Sequence, residues 1–370
     1  MNELHFGLCI GIDRYPGFPG RDLASASQDA RAFRDWLIAP GGGALPEENV
    51  ALVTVEADEA FAGVTDARPK MQEVVLALDS INERLRQHLA VNPEDWNKSR
   101  VYIYAAGHGI AIPNGEGAVL MADAKPQVLG FNIDLSQYAD WYAHCGLVHD
   151  VIVFVDCCRE VADGVPLGFV MFQQCRFPAN KGSVRLVAYA SRWGEQAWEP
   201  TTDPNLARGY FTQALLDGLN GAAEETGTRQ VTAASLATYV AQAVEAKTQP
   251  PVAPYPQRAE MLIDAGVPLV LRGAPATAAQ PDGASGAPVA PTGAVTSHTA
   301  TIHFPAGFSG EVTVKSSDGM THGRWRAAEG PWQLTLPDSF YQVVAEPPGS
   351  FAFGANGLFA LVGSDADVRL

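Results

Sequence analysis

The sequence predicts an α/β fold, a mostly parallel sheet flanked by helices, followed by a small all-β, sandwich-like domain. Over residues 1–272, short apolar runs alternate with amphipathic helical stretches, which is typical of a parallel sheet covered on both faces. Residues 273–298 are dominated by Ala, Pro, Gly and Thr with one charged residue, Asp282, and this composition indicates a linker. Residues 299–370 are short alternating segments separated by Gly, Pro and Asp, which favours β-strands.

Composition limits the class of protein. The 370 residues are 47% hydrophobic, enough for two domains with a sizeable core. The formal net charge of −16 argues against binding to nucleic acid or to an anionic membrane surface, and favours basic partners or substrates. The five cysteines have no regular spacing, so we expect a reducing compartment and no disulfide framework. We recognise no signal peptide and no apolar run of ~18 residues, so the expected location is cytoplasmic.

The first half of the chain alternates predicted strands and helices. Residues 4–12 are the first predicted strand, and the Pro and Gly residues after it predict a loop. Ser27 is the expected N-cap of a helix over residues 29–37. The later predicted elements of this half are a strand at 50–55, an amphipathic helix at 71–89, strands at 101–106 and 151–155, and a helix at 135–144.

The alternation of predicted strands and helices is interrupted after the strand at 151–155. Residues 160–183 mix Gly, Pro and basic residues without periodicity. Beyond them we predict a strand at 184–189, helices at 211–219 and 236–244, and a last strand at 267–271. In the carboxy-terminal domain the predicted strands are 301–304, 311–315, 332–336, 340–345 and 358–362.

Two of the buried strands end in reactive side chains. The run 151–155 is followed by Asp156, Cys157 and Cys158, and the run 101–106 is followed by a Gly-His-Gly triplet centred on His108. In an open α/β sheet the carboxyl ends of the strands are where ligands bind. The two motifs are therefore expected to form one site.

The residue types in these motifs suit nucleophilic catalysis. A thiolate is the attacking form of cysteine, and a nearby imidazole can accept the thiol proton. Gly109 has no side chain to block a bound carbonyl group. Its N–H and that of Cys158 are therefore the expected oxyanion donors.

These motifs resemble those of a known family. Residues 104–109 and 155–159 are similar to the two catalytic motifs of caspase-like peptidases, most closely those of the metacaspase and bacterial caspase-like branches. His108 precedes Cys158 by 50 residues, which is the spacing typical of caspases. Weaker similarity is found at residues 11–15, 28–30, 190–199 and 209–215, so the resemblance covers residues 4–272.

The resemblance implies a cysteine endopeptidase. His108 is then the general base and Cys158 the nucleophile, and Cys157 occupies the variable position between Asp156 and the nucleophile. The family usually has His-Ser-Gly after the nucleophile, whereas this chain has Arg159-Glu160-Val161. The conformation of this turn is therefore expected to differ from that of the family.

Specificity follows from the acidic positions. In the metacaspase branch, the positions matching Asp29 and Asp156 resemble an acidic pocket, which implies cleavage after Arg, and after Lys second. Residues 190–199 resemble the substrate groove, so Ser191 and Trp193 are expected to bind substrate. Two alternatives stay open: Asp29 is also suited to the first turn of a helix, and Trp193 to core packing. Specificity for Asp is a further alternative, because Arg21 lies in a loop where an aspartate-binding arginine is found in animal caspases.

The resemblance leaves the biological setting open. Residues 160–183 lie where the family separates its large and small halves, so self-cleavage after Arg176 or Lys181 is a hypothesis. The carboxy-terminal domain is expected to bind a partner, a target or a trigger, and analogy implies bacterial defence or regulated cell death. We expect no cofactor; calcium activation is the alternative, although no calcium-binding loop is visible. The rival functions are a catalytically silent scaffold and a separase-like peptidase.

Overall fold

The computed structural model describes residues 2–55, 59–111, 117–162, 165, 170–172, 182–200, 208–264 and 268–273, and further along the chain residues 297–304, 308, 310–316, 321–326, 332–337, 339–346, 358–361 and 366–369. The chain divides into two compact units, Met1–Ala279 and Gln280–Leu370. Most of the predicted linker lies outside the described residues, as do both hypothetical self-cleavage positions, Arg176 and Lys181.

The first unit is built from strands and helices in alternation. The strands are β1 (His5–Gly11), β2 (Val50–Val53), β3 (Arg100–Ala106), β4 (Gly109–Ala111), β5 (Ala118–Leu120), β6 (Asn132–Ile133), β7 (Asp150–Asp156), β8 (Glu160–Val161), β9 (Val184–Tyr189), β10 (Val231–Thr232), β11 (Glu260–Asp264) and β12 (Val270–Arg272). The α-helices are α1 (Ala26–Ile38), α2 (Met71–Val91), α3 (Leu135–Cys145), α4 (Tyr210–Asp217) and α5 (Ala233–Lys247).

Six strands form the central sheet, in the order β11-β9-β7-β3-β1-β2. Every neighbouring pair is parallel except β11 and β9, which are antiparallel. The predicted α/β fold with a mostly parallel sheet is therefore confirmed. A smaller sheet, in the order β6-β5-β4-β8, continues from the carboxyl ends of β3 and β7.

Helices cover both faces of the central sheet. Successive residues of a strand point to opposite faces, so Leu8 and Ile10 belong to one apolar core and Cys9 to the other. The first core contains side chains of α2 and α3, and the second contains side chains of α1, α4 and α5. Cys9 and Cys145 are both buried in these cores, which suits the packing role of a small apolar side chain.

Two details of the sequence analysis are wrong. Helix α1 begins at Ala26 with Ser25 as its cap residue, so Ser27 lies inside the first turn. Its N–H donates to the carboxylate of Asp13, at the exit of β1, which supplies the acceptor expected of a cap. The last strand of the unit is β12 at Val270–Arg272, and it pairs with β10 outside the central sheet.

The second unit consists of two sheets. Its strands are β13 (Ser297–His303), β14 (Glu311–Ser316), β15 (Thr321–Arg326), β16 (Trp332–Pro337), β17 (Ser339–Glu346), β18 (Leu358–Leu361) and β19 (Ala366–Arg369). The sheets have the orders β16-β13-β19 and β15-β14-β17-β18. One apolar core contains Ile302 of the first sheet and Val314 of the second, together with Trp325 and Trp332. The two sheets thus share a core, as in a small sandwich.

Candidate active site

The register of the central sheet brings the two reactive motifs together. Ala106 at the end of β3 pairs with Asp156 at the end of β7. His108 and Cys158 each follow two residues later, so they leave the sheet at the same level. The N–H of Gly107 donates to the carbonyl of Asp156 at 3.2 Å and holds the two exits side by side. His108 and Cys158 line one cleft of about 240 Å³.

The imidazole of His108 is held by the loop that follows β1. Its Nε2 lies 2.5 Å from the carbonyl oxygen of Arg21. Its main-chain N–H donates to the Tyr15 hydroxyl at 2.8 Å, and the two rings are 4.6 Å apart. The Tyr15 hydroxyl in turn donates to the carbonyl of Leu120. The orientation of the imidazole is therefore set from three directions.

The thiol of Cys158 lies against the segment that follows β9. The N–H of Ala197 donates to Sγ at 3.3 Å, and Sγ lies 3.6 Å from the carbonyl oxygen of the same residue. Burial raises the pKa of this thiol to about 11, and the Ala197 N–H offsets part of that rise. The group is a thiol at neutral pH, so it needs a base at the moment of attack.

The neighbouring Cys157 has different surroundings. It is buried in the core on one face of the sheet, and burial raises its pKa well above the usual value. A Cβ added to Gly109 would lie 2.3 Å from the Cys157 Sγ and 2.5 Å from the Cys158 carbonyl oxygen. Only glycine at this position lets β4 start so close to the nucleophile turn. Both cysteines line the cleft, but Cys157 is buried and Cys158 is the more accessible of the two thiols.

Acidic side chains dominate the rest of the cleft. Its charged lining residues are Arg21, Asp29, Asp156, Glu160 and Glu199. Acidic groups thus outnumber basic ones in the lining of the cleft, which favours a cation over an anion there. A larger cavity of about 800 Å³ lies at the opposite, amino-terminal ends of the strands and contains neither reactive motif.

Asp156 is held by helix α4. Its Oδ2 accepts hydrogen bonds from the hydroxyl of Thr212 at 2.6 Å and from the N–H of Thr212 at 3.2 Å. The Tyr104 hydroxyl lies 2.5 Å from the same threonine oxygen. Burial raises the pKa of Asp156 to about 6, and these hydrogen bonds limit the rise.

Asp29 lies in the first turn of α1, with its side chain 1% exposed. Burial and the nearby Asp156 raise its pKa to about 8. A helix dipole alone would lower that pKa, so burial and repulsion outweigh it here. Its Oδ2 accepts a hydrogen bond from the Gly209 N–H at 2.8 Å, and its Oδ1 lies 3.3 Å from Nε of Arg208.

Ser191 and Trp193 are not among the residues that line the cleft. Ser191 is fully buried, and its hydroxyl is directed at the carbonyl oxygens of Cys157 and Glu195. Trp193 is 49% exposed. Instead, the segment presents residues 196–199 to the cleft. Of the segment expected to form the groove, residues 196–199 are therefore the part that lines the cleft.

Glu199 was not singled out in the sequence. Its Oε2 accepts a hydrogen bond from the Ser25 hydroxyl at 2.8 Å, and its Oε1 accepts one from the Ala24 N–H at 3.1 Å. Its charge contributes to the raised pKa of Asp156. An acid at the end of a loop without periodicity carries no signal in one sequence, because its contacts lie more than 170 residues away.

Arg159 occupies the turn after Cys158, where this chain lacks the His-Ser-Gly sequence that is usual in the family. Its side chain is 3% exposed, bonds Glu260 at 2.6 Å and lies over the Tyr189 ring at 4.2 Å. Its main chain exchanges two hydrogen bonds with the 194–195 turn, one in each direction. The contacts of this buried arginine thus hold the turn at Cys158 against the segment that contains Ala197.

Two general features of the described residues bear on other classes of function. Within them, no group of three or more His, Cys, Asp or Glu side chains is arranged to hold a metal ion. None of the described helices is both long and apolar enough to cross a membrane.

Comparison with known proteins gives a family and a few relatives. The sequence matches the Caspase domain family over residues 5–264. A protein from a Desulfuromonadales bacterium, named as a probable protease, is 26% identical over 223 residues, which is 59% of this chain and 26% of that protein. The chain thus spans about a quarter of the length of this relative.

Two solved structures are similar to this chain over most of its length. Caspase-1 from Spodoptera frugiperda is 17% identical with a TM-score of 0.45, and the match covers 73% of this chain and 90% of that chain. A protein from Geobacter sulfurreducens is 14% identical with a TM-score of 0.39, covering 71% and 94% of the two chains.

Proposed function

Because this chain belongs to the caspase domain family of cysteine proteases, we propose that it is an endopeptidase that cleaves after a basic residue, arginine first and lysine second. The family membership confirms the resemblance found in the sequence. The proposal for specificity is carried by one observation: Asp29, Asp156, Glu160 and Glu199 line the cleft that contains the thiol of Cys158. A guanidinium suits paired carboxylates better than an ammonium does.

The proposed reaction begins with proton transfer. The carbonyl oxygen of Arg21 can only accept, so Nε2 of His108 carries the proton of that hydrogen bond. The other ring nitrogen, Nδ1, then has the free lone pair and takes the proton of the Cys158 thiol. The raised pKa of that thiol makes this step necessary at neutral pH.

Acyl transfer follows through a covalent intermediate. The sulfur of Cys158 attacks the carbonyl carbon of the substrate, and the N–H groups of Gly109 and Cys158 are the proposed donors to the oxyanion. The imidazolium of His108 returns its proton to the leaving amine, which breaks the peptide bond. Water then attacks the thioester, with His108 again as base, and releases the acid product.

Three fluorogenic peptides that differ only in the residue before the scissile bond test the specificity. The expected order of kcat/KM is Arg, then Lys, then Asp, and the Cys158→Ala variant should cleave none. Faster cleavage of the Asp peptide would overturn the basic preference and favour the second candidate, Asp specificity. That candidate is supported by Arg21, which also lines the cleft. Cleavage of no peptide, without labelling of Cys158 by a thiol-reactive probe, would favour a silent scaffold.

The biological role is a separate proposal. We propose action on protein substrates in bacterial defence or regulated cell death, with the carboxy-terminal unit binding a partner or trigger. It is supported by analogy with the family and by the separate core of that unit. A map of newly formed protein termini, compared between cells with the active protein and with Cys158→Ala, tests this role directly. New termini that are the same in both samples would contradict it.

A further inference from the structure

One acid of the cleft already pairs with a cation from the same chain. Nε of Arg208 lies 3.3 Å from Oδ1 of Asp29. The carboxylate is 1% exposed, whereas the arginine side chain is 40% exposed. The guanidinium therefore contacts the buried acid while part of the side chain stays in solvent.

The backbone next to Arg208 fits closely between the two carboxylates. The Gly209 N–H donates to Oδ2 of Asp29. A Cβ added to Gly209 would lie 2.4 Å from Oδ2 of Asp156 and 3.3 Å from Oδ2 of Asp29. The residue after Arg208 thus has no room for a side chain. This close fit fixes the position of the backbone from which the Arg208 side chain extends.

The contact between Arg208 and Asp29 is incomplete. Oδ1 of Asp29 is buried and accepts no aligned hydrogen bond from the described residues, although the charge of Arg208 lies nearby. A buried carboxylate oxygen without such a bond is costly. A guanidinium has five N–H donors in a planar fork, so one that arrives end-on can make the bond that Nε does not.

We propose that Arg208 stands in for the basic side chain of the substrate at Asp29, and that the substrate must take over this contact before Cys158 attacks. This inference rests on the proposed cleavage after basic residues. Arg208 then acts as a built-in competitor. It weakens binding of every basic substrate by the same factor, and it takes no part in the chemical steps.

Arg208→Gln tests the inference, because it removes the charge but keeps a polar side chain. We expect KM for both the Arg and the Lys peptide to fall about 3- to 10-fold, with kcat unchanged and the Arg-to-Lys ratio preserved. The inhibition constant of benzamidine, an amidinium probe that needs no catalysis, should fall by the same factor. Arg208→Lys keeps the positive charge but loses the planar set of N–H donors. Its KM should therefore lie between those of the unmodified protein and of Arg208→Gln.

Arg34→Gln is the matched control. Arg34 also pairs with an acid, Glu47, at the surface of α1, and it does not line the cleft. Its KM should equal that of the unmodified protein. Thermal unfolding of each variant shows whether it is folded before it is assayed.

The possible outcomes separate this inference from the proposed function. If the protein cleaves after arginine but Arg208→Gln has an equal or higher KM, Arg208 is a structural counter-ion, and only the inference is wrong. If the protein cleaves only after aspartate and Arg208→Gln abolishes this activity, Arg208 binds the substrate acid, and both are wrong. A change in the Arg-to-Lys ratio would show a reshaped pocket, and it would also overturn the inference.

Discussion

Nε2 of His108 lies 2.5 Å from the carbonyl oxygen of Arg21. This contact joins the proposed base to the loop after β1, and the side chain of the same arginine lines the cleft. The loop therefore has two roles: its backbone selects the tautomer of the imidazole, and the side chain of Arg21 forms part of the wall of the cleft. A ligand that moves this loop would alter the base as well as the pocket.

The two adjacent cysteines should behave differently when replaced. We expect Cys158→Ala to lower kcat by more than about 10³-fold, because Cys157, the other described thiol that lines the cleft, is only 2% exposed. Cys157→Ala should retain most of the activity but lower the free energy of unfolding by about 1 kcal/mol, because it removes a buried side chain. Peptide cleavage and urea unfolding measure the two effects. Loss of activity in Cys157→Ala, with Cys158→Ala active, would reverse the assignment.

Asp29 should make the protein less stable as the pH rises. Its pKa is raised from 3.8 to about 8 in the folded protein, so between these values the folded state binds more protons than the unfolded state. The free energy of unfolding then falls as the pH rises from 4 to 8. Asp29→Asn should reduce this dependence, leaving the part due to Asp156 below about pH 6, and be more stable than the unmodified protein by about 2 to 4 kcal/mol at pH 8.

Urea unfolding at pH 5, 7 and 8 measures this difference. Asp35→Asn, at an exposed position of the same helix, is the control, and its stability should change by less than about 0.5 kcal/mol. A variant of Asp29 that is less stable than the unmodified protein at pH 8 would show that the charged carboxylate stabilises the fold.

Glu199 should contribute to the selection of basic substrates. Glu199→Gln removes one of the four carboxylates of the cleft, and we expect kcat/KM for the Arg peptide to fall about 3- to 10-fold. The Asp peptide should be cleaved no more slowly than before. Ser25→Ala removes a hydrogen bond that holds the carboxylate, so it should give a smaller fall in the same direction. An equal fall for all peptides would indicate a general structural effect instead.

Arg159 and Glu260 should be energetically coupled. The arginine is 3% exposed and the glutamate 37%, so Arg159→Met removes a mostly buried charge and leaves an acid that water can still reach. We expect the free energy of unfolding to fall by only about 1 to 2 kcal/mol, because the acid left behind stays hydrated. A double-mutant cycle with Glu260→Gln should give a coupling energy of about 1 kcal/mol or more. A coupling energy near zero would show that the contacts of Arg159 with the Tyr189 ring and the Ser191 carbonyl account for its effect on stability.

Much of the fold can be predicted from the sequence because buried parallel strands have a strong local pattern. The apolar runs that form β3 and β7 each end at turn-forming or polar residues. The positions of His108 and Cys158 just after these strands can therefore be predicted from the sequence. β11 (Glu260–Asp264) was missed because it is a half-exposed edge strand of mixed character. Residues 267–271 were assigned to the sheet because an apolar run alone does not reveal its partner strand.

The site was predictable to a smaller extent. His108, Cys158, Asp29 and Asp156 were found from motifs, and all four line one cleft. The contact of His108 with the main chain of Arg21 has no sequence signature, because any residue has a carbonyl group. Arg208 and Glu199 lie about 180 and 170 residues from the groups of α1 that they meet. Such contacts follow from the topology and not from local pattern.

The pairing of Ala106 with Asp156 has a consequence for how the proposed activity can be lost. Sliding β7 by one position against β3 would preserve the hydrogen bonding of parallel strands, yet it would turn every side chain of β7 to the other layer. The sulfur would then be carried away from the imidazole, and the aspartate at the strand end would exchange places with a valine. The proposed activity therefore depends on the alignment of β3 and β7. An insertion or deletion of a single residue in either strand should be far more damaging than a longer one in the loops between them.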